Sequence, residues 1–241
     1  MSAARRYVSK IHDKFDLLAT WPLDEKLQLG DIGTLAGGRF FVRTTLSALR
    51  IGFHARSSSG TSDWDHTSGA DLSVELQAGK DVVISFGSSG AFLFQARAAA
   101  TATIENMAAV GAEILYHYRA QGFERDWIVI DRLVTAKSAT ILISESKKAR
   151  VVLRASEALL SVAGLGDASL GIQIASTQGE VTRLIASESV TPMFGASRLS
   201  ESLLRGMRVE PLRSNLPEPM SGDETLQRVT LDERLAAMPI S

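Results

Sequence analysis

From Val82 to Ile104 apolar and small or polar residues alternate almost without a break. Val82, Ile84, Phe86, Phe92, Phe94, Ala96, Ala98, Ala100, Ala102 and Ile104 fall on one parity. Val83, Ser85, Gly87, Ser89, Ala91, Leu93, Gln95, Arg97, Ala99, Thr101 and Thr103 fall on the other. A period of two is the pattern of a strand with one buried and one wet face. Gly87-Ser-Ser-Gly90 predicts a turn in the middle. The remaining run, Ala91 to Ile104, predicts a strand of about 45 Å at ~3.3 Å per residue, with its even residues facing the core. Strands of ~5–6 residues are usual, so the expected frame is a sheet with long strands.

Other segments fill in this frame. Arg5 to Ala19 carries Tyr7, Val8, Ile11, Phe15 and Leu18 on one stripe, predicting a helix that ends before Pro22. Met107, Val110, Ile114, Leu115 and Tyr118 predict a second helix, with Asn106 as its N-cap and Gly122 as its stop. Leu27–Leu35, Phe40–Phe53, Asp71–Gln77, Asp126–Thr135 and Ala168–Ile174 read as strands. Ser138–Ser144 and Ala149–Ala155 read as a hairpin around Glu145-Ser-Lys-Lys148. Glu180–Ala186 reads as pairing back after Thr177-Gln-Gly. Ser156–Ala163 reads as a short helix and Arg56–Gly69 as an exposed, mobile polar loop. Strands joined mostly by short turns favour an α+β fold: a large, twisted, mostly antiparallel β-sheet with long strands and flanking short α-helices.

Proline placement divides the chain. None lies between Pro22 and Pro192, as suits central strands that need every N–H. After Pro211 the composition is that of a linker. The expected organisation is a single α+β body over 1–210 and a Pro-containing linker with a short C-terminal tail helix over 211–241. Asp223 can cap that helix, and Leu226, Val229, Leu231 and Leu235 are candidates for docking it on the body.

Net charge is −1, so no global field draws the chain to nucleic acid, and no nucleic-acid partner is expected. There is no cysteine, which excludes disulfides, thiolate metal sites and a cysteine nucleophile. The charged run Lys10–Lys14 after the first residues is unlike a signal peptide, and no 18-residue apolar run exists, so a cytoplasmic location is expected.

No motif names a reaction. Gly-x-Ser-x-Gly is absent. Gly164-Leu-Gly-Asp167 lacks the lysine and the third glycine of a phosphate loop and reads as a turn. Asp63-Trp-Asp-His66 with His54 is the one local cluster of metal-ligand or acid–base residues, and its alternative is an exposed loop whose aspartates make turns. His12 and His117 read as surface or helix residues. No catalytic residue, cofactor or metal is expected. Lys147, Lys148, Arg150 and Arg154 form the densest basic patch; they are candidates for contacting phosphate headgroups, or they guard an edge strand.

Three segments together resemble bacterial gasdermins, the pore-forming effectors of abortive phage defence. Leu27-Gln-Leu-Gly-Asp-Ile-Gly-Thr-Leu35 is similar to a strand near the start of that family. Asp126-Trp-Ile-Val-Ile-Asp-Arg-Leu-Val-Thr-Ala-Lys137 is similar to its central strand, and Val190-Thr-Pro-Met-Phe-Gly195 to a late turn in its sheet. Many members carry a lipidated cysteine near the N-terminus, and this chain has none. The resemblance implies a twisted sheet, hairpins that become membrane strands in a ring-shaped pore, a short inhibitory tail, and an activating protease. Membrane lipids and further copies of the chain are then the partners, and the protein reaches the membrane after activation. A membrane strand needs ~9–11 alternating residues. Phe92, Phe94, Ala96, Ala98, Ala100, Ala102 and Ile104 are candidates for its apolar face. Two other readings stand beside the pore: a non-enzymatic interaction or scaffold module presenting a long antiparallel sheet to a protein partner, and an enzyme using His54, Asp63, Asp65 and His66.

Overall fold

The structure is a computed structural model. It describes residues 3–212, apart from 24, 37, 69–70, 78–80, 155–172, 187–188 and 203–205. In chain order the elements are α1 (Ala3–Phe15), β1 (Leu18–Ala19), β2 (Asp31–Ala36), β3 (Arg39–Thr45), β4 (Ala55–Ser57), β5 (Ser62–Thr67), β6 (Leu72–Gln77), β7 (Asp81–Phe86) and β8 (Phe92–Ile104). They continue as α2 (Met107–Arg119), β9 (Ile128–Ala136), β10 (Ser138–Ser144), β11 (Arg150–Arg154), β12 (Gln173–Gln178), β13 (Val181–Ala186), β14 (Val190–Ser202) and β15 (Gly206–Pro211). The fold is α+β, with every described strand pair antiparallel. A large sheet of 11 strands runs β1-β14-β9-β8-β10-β13, with β15, β2, β3, β4 and β5 attached beside this path, and a sheet of 4 strands runs β12-β11-β7-β6.

β8 is the spine. Its first half, Phe92 to Arg97, lies between β5 and β10, and its second half, Ala100 to Ile104, between β4 and β9. Both β9 and β10 run antiparallel to β8, so the two run in one direction and are separated only by Lys137. The break in one strand faces a kink in the other. Ala98 has φ 49°, a left-handed conformation that costs an alanine roughly 1–2 kcal/mol. Its N–H is satisfied by Asp63 Oδ1 at 2.9 Å, at the register shift between Ser62 and Trp64. Lys137 N–H donates to the Arg97 carbonyl at 3.0 Å across the same level.

This kink changes the expected parity. Phe92, Phe94 and Ala96 pack with Tyr7, Val8 and Ile11 of α1, but so does Ala99, not Ala98. Ala98, Ala100 and Ala102 are only partly buried, while Ile104 is buried as expected, with Val110 and Ile114 of α2. The odd residue Leu93 is also buried, because the small sheet covers the opposite face: Val82, Ile84, Phe86, Val151 and Leu153 meet Leu93 and Leu142 there. β8 is therefore sandwiched where a one-sided strand was expected. Alternation along β14 places Met193, under α1, and Leu199, under α2, on one face, so both helices share that face of the large sheet. Phe194 and Ala196 line the other face, with Phe40, Ile130 and Leu27.

Several local expectations are corrected. Ser138–Ser144 and Ala149–Ala155 do not form a hairpin: β10 pairs with β8 and β13 in the large sheet, while β11 pairs with β7 and β12 in the small one. Likewise β13 returns to β10 and not to β12. The segment 56–69 is not a loop throughout, since β4 and β5 pair with β8 and are polar because they are edges. Helix α2 does start after Asn106, but the Asn106 carboxamide accepts from His54 N–H at 2.8 Å instead of capping the helix. Gln121, with φ 60°, takes the left-handed position expected of Gly122. His12 is buried, with Nδ1 3.2 Å from the Leu17 carbonyl. The expected helix 156–163, the turn at 164–167, the strand start at 168–172 and the tail lie outside the described residues.

Phe94 is fully buried beneath α1, so Phe94→Ala should cost about 3–5 kcal/mol. Tyr116 is 67% exposed on α2, and Tyr116→Ala should change stability by less than ~0.5 kcal/mol. Urea unfolding of both variants measures the contrast, and similar losses at the two positions would contradict the placement of β8.

Candidate functional site

The two sheets are continuations of each other. In the large sheet β5, β8, β10 and β13 are neighbours in that order; in the small sheet the order is β6, β7, β11, β12. Each strand of one set leads directly along the chain into its counterpart in the other: β5 to β6, β7 to β8, β10 to β11, β12 to β13. Four strands are thus folded back on themselves at a common crease, formed by the described segments 68, 71, 87–91, 145–149 and 179–180.

Polar side chains and turns build this crease. Gly87 N–H donates to the Asp71 carbonyl (2.8 Å), Phe86 N–H to Ala149 (2.8 Å) and Glu145 N–H to Glu180 (2.9 Å). Gly90 N–H donates to Ser144 at 2.6 Å, and Ser144 N–H donates back to Ala91 at 2.8 Å. Serine and threonine hydroxyls join the layers: Ser88 to Asp71, Ser89 to the Glu145 carbonyl, and Thr182 to Glu145 Oε1. The Ser146 hydroxyl accepts from Glu180 N–H, and the Ser68 hydroxyl from Phe92 N–H. Gly90 (φ 79°), Lys148 (φ 60°) and Gly179 (φ 78°) supply left-handed turns.

The small sheet is two-faced. Leu72, Val74, Val82, Ile84, Phe86, Val151 and Leu153 share one face, as the register Leu72↔Phe86, Val74↔Ile84 and Ile84↔Val151 requires. Ser73, Glu75, Ser85 and Arg150 share the other with Val152 and with Val83, which is fully buried. Most of the apolar face is hidden against Leu93 and Leu142, while Val74 is 48% exposed.

The basic candidates divide accordingly. Lys147 and Lys148 are exposed in the crease turn, and Arg150 lies on β11 with its Nε buried and without a hydrogen-bond partner among the described residues. β11 is a central strand, which removes the edge-strand explanation for these charges. The side chain of Arg154 and the tail residues Leu226, Val229, Leu231 and Leu235 lie outside the described residues.

The cluster Asp63-Trp-Asp-His66 is not assembled as a metal or acid–base centre. Asp65 and Asp63 hold Arg97 Nη1 at 3.0 and 3.7 Å, and the Arg97 side chain is 12% exposed. Arg97 is thus a bonded, nearly buried part of the kink, contrary to the open face expected of it. His66 packs between the rings of Phe15 (5.8 Å) and Phe92 (5.4 Å), and His54 lies apart, with its backbone bound to Asn106 and Glu105. Burial, then Lys14 and Lys10, hold the His66 pKa below its ordinary value. Elsewhere, Asp131 stands in a bulge of β9 and accepts from the Ser197 hydroxyl; burial raises its pKa, opposed by Ser197 and Arg132. Among the described residues no group of His, Asp or Glu side chains is placed to hold a metal ion. No described helix is long and apolar enough to cross a membrane, which says nothing of strands.

The sequence marks Ser88, Ser89, Glu145 and Ser146 only as turn residues and gives no role to Ser68, Asp71 and Thr182, or to Arg6, which reaches the crease from α1. Their one signal is that polar clusters interrupt the alternation at the end of each apolar run.

Two expectations follow from this geometry. A Cβ on Gly90 would lie 2.9 Å from Arg6 Cδ; the arginine can move but the φ cannot, so Gly90→Ala should cost roughly 1–2 kcal/mol in urea unfolding. Because the folded His66 pKa is lowered, the unfolded chain binds its proton first. Stability from this residue is full above about pH 6.5 and declines as pH falls below that value. His66→Gln should flatten that part of a stability-versus-pH curve, and an unchanged slope would contradict it.

No family model matches the chain, and no curated protein does. Among solved structures the chain is similar to the gasdermin A3 membrane pore, with 10% identity over 86% of this chain and 93% of that one and a TM-score of 0.34. It is likewise similar to a bacterial gasdermin from Bradyrhizobium tropiciagri, with 9% identity over 86% of this chain and 90% of that one and a TM-score of 0.38.

Proposed function

We propose that this protein is a latent pore-forming effector whose four creased strands straighten to enter a membrane. The observation that carries the reading is the repeated neighbour order on the two sides of the crease. Straightening would join β5 to β6, β7 to β8, β10 to β11 and β12 to β13 as four long strands in two hairpins. Residues 81–91 and 145–154 each match the ~9–11 residues of a membrane strand. The two-faced small sheet supplies the alternation such strands need, with Val82, Ile84, Phe86, Val151 and Leu153 turned from the protein core to lipid. Phe92, Phe94 and Ala96 continue the same strand beneath α1, and beyond the kink Ala98, Ala100, Ala102 and Ile104 complete it within the large sheet. Lys147, Lys148 and Arg150 stand at or beside the crease, where anionic headgroups would meet them.

The open edges of β5 and β13 flank this four-stranded layer and offer backbone groups to further copies of the chain. In this reading the tail, through Leu226, Val229, Leu231 and Leu235, restrains the creased form, and a protease acting in 213–222 frees it by lowering the tail's effective concentration. The protein is soluble until then and membrane-bound afterwards.

The test is deletion of residues 215–241, with dye release measured from anionic liposomes. The full chain should be inert and the truncated chain should release dye. A truncated protein that stays folded, monomeric and inert toward several lipid compositions would remove the pore reading and favour an interaction module.

A further inference from the structure

Helix α1 touches both the crease and the spine strand through two consecutive residues. Arg6 Nη1 donates to the Ser89 carbonyl at 2.8 Å, and its side chain lies across Gly90, with Cδ, Nε and Cζ at 2.9–3.2 Å from where a Cβ would stand. Ser89 and Gly90 hold these positions because Gly90 is left-handed, with φ 79°. Rotating Gly90 to the extended conformation of a straight strand swings the Ser89 carbonyl away, so the Arg6 bond exists only in the creased form.

Tyr7 carries a different message. Its ring packs edge-on against Phe92 at 5.3 Å, with Phe94 and Trp21 close by, and the residue has no exposed surface. Its hydroxyl has no hydrogen-bond partner among the described residues. An unpaired buried hydroxyl opposes docking, since the same group would be bonded to water if the helix were released. The hydrophobic contacts of α1 with Phe92, Phe94 and Ile141 are thus partly offset at their centre.

We propose that α1 is a releasable latch on the crease: Arg6 fastens it to the bent connection at Ser89, and the unpaired Tyr7 hydroxyl keeps its docking weak. Undocking α1 and straightening the 87–91 connection then form one cooperative step. The consequence for membrane entry rests on the pore reading; the coupling itself does not.

Amide hydrogen exchange on the full-length chain in solution, without lipid, tests it. In Arg6→Ala, protection of the α1 amides and of the Gly90 and Ser144 amides, which bridge the crease, should fall together by about tenfold. In Tyr7→Phe, which keeps the ring and removes the hydroxyl, protection at both places should rise together. Arg6→Ala that loosens α1 while Gly90 and Ser144 exchange as in the wild type would overturn the proposal. So would a Tyr7→Phe protein whose α1 exchanges no more slowly. Because no membrane is present, an inert result in the liposome assay would remove the pore reading and leave this outcome intact.

Discussion

Backbone hydrogen bonding along β8 is the constraint on which the rest depends. A 13-residue strand buried for much of its length must find a partner for nearly every N–H and C=O. No single neighbour does this. β5 and β10 pair the first half, β4 and β9 the second, and Asp63 with Lys137 closes the gap at Ala98. The Arg97–Asp65–Asp63 group follows from that gap. Its charges are held where the ladder is interrupted, so the arginine satisfies a structural demand and not a chemical one.

The same strand divides the protein into two layers of different character. On one face α1 and the aromatic side chains of Tyr7, Phe92, Phe94 and Phe15 form a core of large rings. On the other, the small sheet adds aliphatic side chains that meet Leu93 and Leu142. Between the layers' ends the crease is mostly polar: carboxylates, hydroxyls and glycine turns surround the two buried alanines Ala91 and Ala149. Apolar packing binds each layer, whereas the bend itself is held by directional bonds to Asp71, Ser89, Ser144 and Glu145. Such bonds contribute little net free energy each when water can replace them.

Much of the fold was legible in the sequence where the signal is local. The stripe Tyr7, Val8, Ile11 and Phe15 and the stripe Val110, Ile114 name the two helices, and the long alternation names β8. What misled was also local. Ala96 to Ala100 contains no glycine to announce the left-handed Ala98, where the buried position passes from Ala96 to Ala99, although Ile104 at the strand's end is buried as its parity requires. Glu145-Ser-Lys-Lys148 and Thr177-Gln-Gly179 have the composition of hairpin turns, yet each passes the chain from one sheet to the other. A turn's chemistry fixes the local change of direction and leaves open which strand is met next. Edge strands β4 and β5 resembled a loop because edges are polar. For the same reason the crease was unreadable as a site: its residues come from four separate segments, and only pairing across the sheets assembles them.

In the pore reading, the matching order of the two strand sets bears on the barrier between bent and straight forms. β5 is beside β8 and β6 beside β7; β8 is beside β10 and β7 beside β11; β10 is beside β13 and β11 beside β12. No strand has to leave a neighbour and find another. In that reading the ladders survive the change, while the backbone rotations and bonds at the crease are altered and the packing of the small sheet against Leu93 and Leu142 is given up. A rearrangement that conserves its pairings avoids the loss of strand hydrogen bonds that slows most changes of β topology. In the pore reading its rate is set by those turns and by the packing released with them, and the eight strands of the two sets reorganise with their pairings kept.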